Sequence, residues 1–143
     1  MASTLFTNAA RGLLKADFDF DTASFKVMLV SSIPTETNLD AWVFRSDVTN
    51  EVAGAGYTAG GISQPFTLNA VDTVNNRQSV TFTNIVNGWT GATVTAVGAI
   101  IYKDTGSAAT DLLFEFIDFG QSVGGTNVNI SITHTTDFLA TRL

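Results

Sequence analysis

Four of the chain's twelve glycines lie in one string, EVAGAGYTAGG, from Glu51 to Gly61. A glycine-rich loop can cradle a phosphate with its backbone N–H groups, so the spacing matters. A dinucleotide fingerprint needs G-x-G-x-x-G between a strand and a helix, with an acidic residue further on. Gly54-Ala55-Gly56-Tyr57-Thr58-Ala59-Gly60 is one residue too long for that, and the segment after Gly61 reads as strand. A phosphate loop would continue with Lys and then Ser or Thr, whereas Gly61 is succeeded by Ile62-Ser63. The string reads instead as a glycine-hinged loop that drops into a strand, with Tyr57 as its single anchor.

The other chemistry-bearing residues are scattered. Asp17, Asp19 and Asp21 match the first half of a calcium loop, but Thr22 stands where that loop needs Gly and Met28 where it needs Glu. They read as the solvated face of a short extended segment whose other face carries Phe18 and Phe20. His134 is the only histidine, so it has no second imidazole with which to share a metal. No G-x-S-x-G elbow presents a serine to it, and it falls in phase with Val128, Ile130 and Ile132 at the end of a strand. Three glutamates exist, Glu36, Glu51 and Glu115. Glu115 with Asp118 is the one carboxylate pair that suggests glycoside chemistry, and a salt link to Lys103 or Arg77 is its more ordinary use. Asn129-Ile130-Ser131 is formally a glycosylation sequon inside an expected strand. Trp42, Trp89, Tyr57 and Tyr102 could line a sugar platform, but in a sheet protein they serve first as core or interface anchors. No catalytic, cofactor-binding or metal site is assigned.

These residues must be held by an unusually uncharged chain. The 143 residues are 45% hydrophobic and 14% charged, against roughly 25% charged in ordinary soluble domains. So few charges suit a protein that hides surface against a partner or copies of itself. The net charge of −6, with no basic run, argues against direct binding to a nucleic-acid backbone. Without cysteine, neither disulfides nor thiolate metal sites hold the chain. The N-terminal MASTLFTNAARGLLKADFDFD has no basic leader, and Arg11 and Lys15 interrupt its apolar stretch, so it does not read as a signal peptide. No window approaches the ~20 apolar residues of a membrane span.

Along the chain, Leu5, Phe6, Ala9, Ala10, Leu13 and Leu14 repeat at helical spacing, with Thr4 as the expected cap. Ser24–Ser32 reads as a buried strand stopped by Pro34, and Thr37–Val48 as a long connection carrying a turn of helix. From Gly61 onward strands are expected at Ile62–Ala70, Gln78–Thr83, Ala92–Tyr102, Leu112–Phe119 and Asn127–Thr135. Asn75-Asn76, Asn87-Gly88, Asp104-Thr105-Gly106 and Gly124-Gly125 are expected to separate them as turns. In the last strand Val128, Ile130 and Ile132 face a core, while Asn129, Ser131 and Thr133 face water or a partner. The expected fold is mainly β, an antiparallel β-sandwich of jelly-roll or Ig-like type with a short N-terminal α-helix. One domain spans 1–143, with an N-terminal helix or arm over 1–16 and the sandwich over 17–143.

The block AIIYKDTGSAATDLLFEFIDFG, from Ala99 to Gly120, resembles a family of small virion-associated proteins of tailed bacteriophages. In these an apolar strand ending in Tyr-Lys-Asp-Thr-Gly turns through small residues into a second apolar strand ending in Asp. DFDTASFKVMLVSS and the Gly-Tyr-Thr-Ala-Gly-Gly core of the glycine string resemble the same family, in the same order. The chain departs from it at ISITHTTDFLATRL, where relatives finish with a strand carrying a Trp. The resemblance implies a non-enzymatic structural protein of the virion that needs no cofactor, made in the bacterial host cytoplasm. It would be a capsid decoration or cement protein, with a tail tube, terminator or fibre subunit as the alternative and a carbohydrate-binding module behind both. Implied partners are the major capsid protein or tail proteins and other copies of the chain, with no nucleic acid and no membrane. Leu5, Leu13, Leu14, Tyr57, Phe138 and Leu139 are the candidate interface residues.

Overall fold

The computed structural model describes residues 2–135 and 137–141. The chain is mainly β, with antiparallel sheets and a short N-terminal helix. In order it forms β1 (Ala2–Leu5), α1 (Thr7–Leu14), β2 (Ser24–Val30), α2 (Glu36–Ala41), a 3-10 turn (Arg45–Asp47), β3 (Ile62–Ser63), β4 (Phe66–Leu68), β5 (Arg77–Phe82), β6 (Ile85–Asp104), β7 (Leu113–Ile132) and β8 (Phe138–Thr141). A five-stranded sheet runs β1-β7-β6-β2-β3, and a three-stranded sheet runs β4-β5-β8.

Phenylalanines join the two sheets. Phe25 of β2 meets Phe66 of β4 at 5.2 Å, Phe82 of β5 at 5.9 Å and Phe114 of β7 at 5.8 Å, all edge to face. Phe138 of β8 closes on Phe114 at 5.3 Å. These geometries suit the ring quadrupole, and each ring also removes a large apolar area from water. The middle of the large sheet is covered on both faces. Val27 to Val30, Ala99 to Tyr102 and Leu113 to Ile117 are all buried, which is why these segments read as apolar runs, broken only by Glu115. Farther along the β6–β7 ribbon only one face is covered. There Ala92, Val94 and Ala96 are buried, and Thr93 and Thr95 between them are exposed.

The N-terminus is not an arm. Residues 2–5 pair with Glu115–Asp118 at the sheet edge, Leu5 opposite Glu115, and Phe6 is fully buried with its N–H donating to the Phe114 carbonyl at 3.0 Å. Helix α1 therefore starts at Thr7 with Phe6 in the cap position, and Thr4 caps nothing. The helical spacing of Leu5 and Phe6 is genuine, but an eight-residue helix is weak alone, and edge pairing plus burial of Phe6 wins. The helix ends in two backward hydrogen bonds, Asp17 N–H to the Gly12 carbonyl at 2.8 Å and Ala16 N–H to Leu13 at 3.3 Å. This closure places Ala16 at φ 60, where glycine is usual.

Three further expectations change. Residues 17–21 form no strand; Phe18 and Phe20 both point into the aromatic cluster, and the backbone turns at Asp19, whose carbonyl accepts Ala23 N–H at 2.7 Å. The segment Ile62–Ala70 is two strands in different sheets, because the chain crosses between layers at Gln64-Pro65, where proline offers no ladder N–H. Asn87-Gly88 and Gly124-Gly125 are not turns. They lie inside β6 and β7, each 20 residues long, at places where the pairing register slips.

Candidate functional site

The glycine string lies against the strands, tied by one carboxylate. Glu51 bridges to Val30 at the end of β2, and its Oε1 accepts the Tyr57 hydroxyl at 2.8 Å and the Gly60 N–H at 2.5 Å. The Tyr57 oxygen in turn accepts the Leu29 N–H at 3.1 Å, and its ring stacks on Trp89 at 6.0 Å. Burial, reinforced by the Glu51 charge, pushes the Tyr57 hydroxyl far above its ordinary range, so it stays protonated and donates. Tyr57 is thus a half-buried internal clamp.

A second tie continues from the first. The Tyr102 hydroxyl donates to the Gly60 carbonyl at 2.6 Å, and the Arg45 guanidinium sits 5.4 Å from the centre of its ring. Arg45 Nε donates to Asp111 Oδ2 at 2.8 Å, while Asp111 Oδ1 accepts the Thr105 N–H at 2.7 Å and the Thr105 hydroxyl at 2.9 Å. Asp111 is fully buried. Burial favours its neutral form, but the bonds from Thr105 and Arg45 prevail and hold the carboxyl below its ordinary range. These groups run as one line of hydrogen bonds, joined at Tyr102–Arg45 by the ring contact, from β2 to the β6–β7 turn. Nothing local in the sequence marks the Arg45–Asp111 pair, since the partners stand 66 residues apart.

The remaining candidates are placed separately. His134 Nε2 lies 3.1 Å from Gln64 Oε1, and the fully buried Gln64 donates Nε2 to the Pro65 and Thr83 carbonyls. Burial lowers the His134 pKa, which keeps the ring neutral near pH 7. Asp19 caps its own turn, accepting Asp21 N–H at 3.0 Å and the Thr22 hydroxyl at 2.8 Å. Among the described residues no three His, Asp or Glu side chains form a metal-binding group. Asn129 Oδ1 accepts the Gly91 N–H inside the β6–β7 ribbon. Trp89 is buried and Trp42 packs half-buried on the core.

Glu115 corrects an expectation outright. It makes no ion pair among the described residues; Lys103 donates instead to the Asp17 carbonyl, and Arg77 pairs with Asp72. Glu115 is 8% exposed near the start of β7, opposite Leu5 and Ile101, and burial raises its pKa from 4.5 to about 7. The folded protein therefore holds a proton that the unfolded chain releases. This contribution to stability is complete below the unfolded value, declines as pH rises toward about 7, and stays lost above it. Glu115→Gln should then stabilise the protein by about 2–3 kcal/mol at about pH 8 and by little at about pH 4. Urea titrations at both pH values check this; an equal difference at both would contradict it.

Of the candidate interface residues, Leu5, Leu13 and Phe138 are half-buried against the core, while Leu14 is 91% exposed. Leu139 pairs through its backbone with Ser79, and its side chain lies outside the described part. The β6–β7 ribbon carries no Asp, Glu, Lys or Arg over 85–97 or 119–132. Most of its exposed side chains are short and polar, such as Thr93, Thr95, Ser122 and Thr126, with Val86 an apolar exception at 78% exposure. Beyond Asp118, where β1 ends, β7 is paired only with β6 among the described strands. Positive φ at Gly120, Gly124, Gly125 and Asn127 keeps that long edge irregular. No helix among the described residues is long and apolar enough to cross a membrane. The chain matches no protein-family model, no curated protein and no solved structure.

Proposed function

We propose that this chain is a non-enzymatic structural protein of a tailed-bacteriophage particle, seated on the outside of the capsid as a decoration or cement protein. The observation that carries the reading is the charge-free exposed surface of the β6–β7 ribbon over 85–97 and 119–132, mostly short polar side chains, on a chain of net charge −6. Depletion of charge is a mark of buried interface, and short hydroxyl and amide side chains cost little entropy when covered. The resemblance of Ala99–Gly120 adds to it, since that block is the turn end of the same ribbon, with Ala99–Tyr102 and Leu113–Ile117 buried.

The buried polar groups fit a scaffold. Glu51, Tyr57, Tyr102, Arg45 and Asp111 spend their hydrogen bonds on one another and on backbone, which holds loops rigid. A rigid subunit on a lattice needs only modest contacts per copy, because neighbours multiply them. The partners in this reading are the major capsid protein and further copies of the chain. The acidic balance suits the outer surface better than the DNA-facing one. Locating the chain in purified particles tests the proposal, and a position on tail rings would transfer it to the tail.

A further inference from the structure

The β4–β5 connection displays two valines in a fixed turn. Val71 is 70% exposed and Val74 87%. Asp72 holds the turn, accepting the Val74 N–H at 3.1 Å, the Asn75 N–H at 3.0 Å, the Asn75 amide at 2.8 Å and Arg77 Nε at 2.9 Å. The backbones of Asp72 and Arg77 also exchange hydrogen bonds at 3.0 and 3.1 Å. Single exposed valines are ordinary on a surface, but two on a turn this tightly tied form a pre-organised apolar prong, which loses little freedom on docking.

The same chain carries a receptor of matching character. A cleft of about 290 Å³ is lined by Ile33, Val97, Asp118, Gly120, Gln121 and Ser122. Ile33 and Val97 give it an apolar wall. Asp118 gives it a carboxylate that accepts the Gly120 N–H at 2.8 Å and has no ion pair among the described residues. Beside the prong stands Arg77, half exposed, with guanidinium N–H groups beyond the one given to Asp72.

We infer that Val74 of one copy docks in the Ile33–Val97–Asp118 cleft of the next, with Arg77 of the first approaching Asp118 of the second. The occupant is a second copy because this chain supplies both halves, apolar prong to apolar wall and cation to carboxylate. Such a contact is head to tail. Each copy uses two different surfaces, so the association extends into a ring or a row. The inference deepens the self-association within the particle reading, and it is measured on purified chain without particles. Its failure would leave that reading standing, and a chain missing from particles would leave the association intact.

Sedimentation velocity across a concentration series tests it with the parent chain, Val74→Asp, Ser122→Trp and an equimolar mixture of the two variants. Both positions are exposed, so both variants should keep the parent's circular dichroism. The parent should associate, and each variant alone should associate at least about tenfold more weakly. The mixture should form dimers and nothing larger, because the intact prong of one variant fits the intact cleft of the other. A parent that stays monomeric to about 1 mM, a variant that associates like the parent, or a mixture no heavier than its parts would each overturn the inference.

Discussion

Gly61→Val should abolish the folded state, while the same substitution at Gly106 should only lower the melting temperature. Both glycines have left-handed backbones, φ +74 at Gly61 and +88 at Gly106. A β-branched residue there costs on the order of 1–3 kcal/mol wherever it sits. The surroundings separate the two. A Cβ on Gly61 would lie 1.8 Å from the Val27 carbonyl oxygen and 2.8 Å from Met28 Cα, whereas a Cβ on Gly106 meets nothing within 4 Å. The obstacle at Gly61 is the backbone of β2, buried mid-sheet and paired through Val27 with both Ile62 and Ile101, so it cannot retreat. Against a total stability of about 5–15 kcal/mol, that clash together with the backbone cost is enough to unfold the chain. Gly60 falls between: its φ is +85, but the nearest atoms are the side-chain ends of Arg45 and Tyr102 at 3.3 Å, which need give by only a few tenths of an ångström. Thermal melts of the three valine variants should rank Gly106, Gly60 and Gly61 in order of increasing damage. Equal shifts would mean that the loop does not lie on β2 as described.

Ile130→Asp should unfold the protein as well. Ile130 is 4% exposed in β7, opposite Trp89, and the new carboxylate would have no cation beside it in an uncharged stretch of ribbon. The Trp89 indole N–H has no partner among the described residues and could donate to it, which offsets a fraction of the cost. An unpaired buried carboxylate still loses at least about 4 kcal/mol. Thr126→Asp, on an exposed position of the same strand, should melt within about 1 kcal/mol of the parent. If Ile130→Asp melted like the parent, the faces of the β6–β7 ribbon would be inverted.

That facing was legible because Val128, Ile130 and Ile132 alternate with polar residues, and a one-sided strand writes its period of two directly into the chain. The lengths of β6 and β7 were not. Asn87-Gly88 and Gly124-Gly125 carry turn chemistry, and their backbones do take positive φ at Asn87, Gly124 and Gly125. The partner strand absorbs those irregularities. Ser131 Oγ accepts the Asn87 N–H at 2.8 Å, Asn129 Oδ1 the Gly91 N–H at 3.1 Å, and Thr93 Oγ1 the Asn127 N–H at 3.1 Å. A bulge whose orphan N–H is met from about forty residues away looks locally like a turn. The same limit hid the tie between Arg45 and Asp111 and the pairing of His134 with Gln64. At the glycine string the turn chemistry was readable, but the role of Glu51 as its clamp depends on Tyr57 and Gly60 folding back onto it. The N-terminal helix was foreseen two residues too early, because edge pairing of Ala2–Leu5 leaves no periodic signal in four residues.

The proposed particle role is a claim about where the chain sits, so the decisive measurement is imaging of virus particles purified from cells that express the chain, at a resolution that traces the backbone. The account predicts copies of this fold on the outer surface of the shell, repeating with the capsid lattice, with the β6–β7 ribbon face against a neighbouring subunit. Particles that lack the chain, or that carry it with this face turned to solvent, would contradict it.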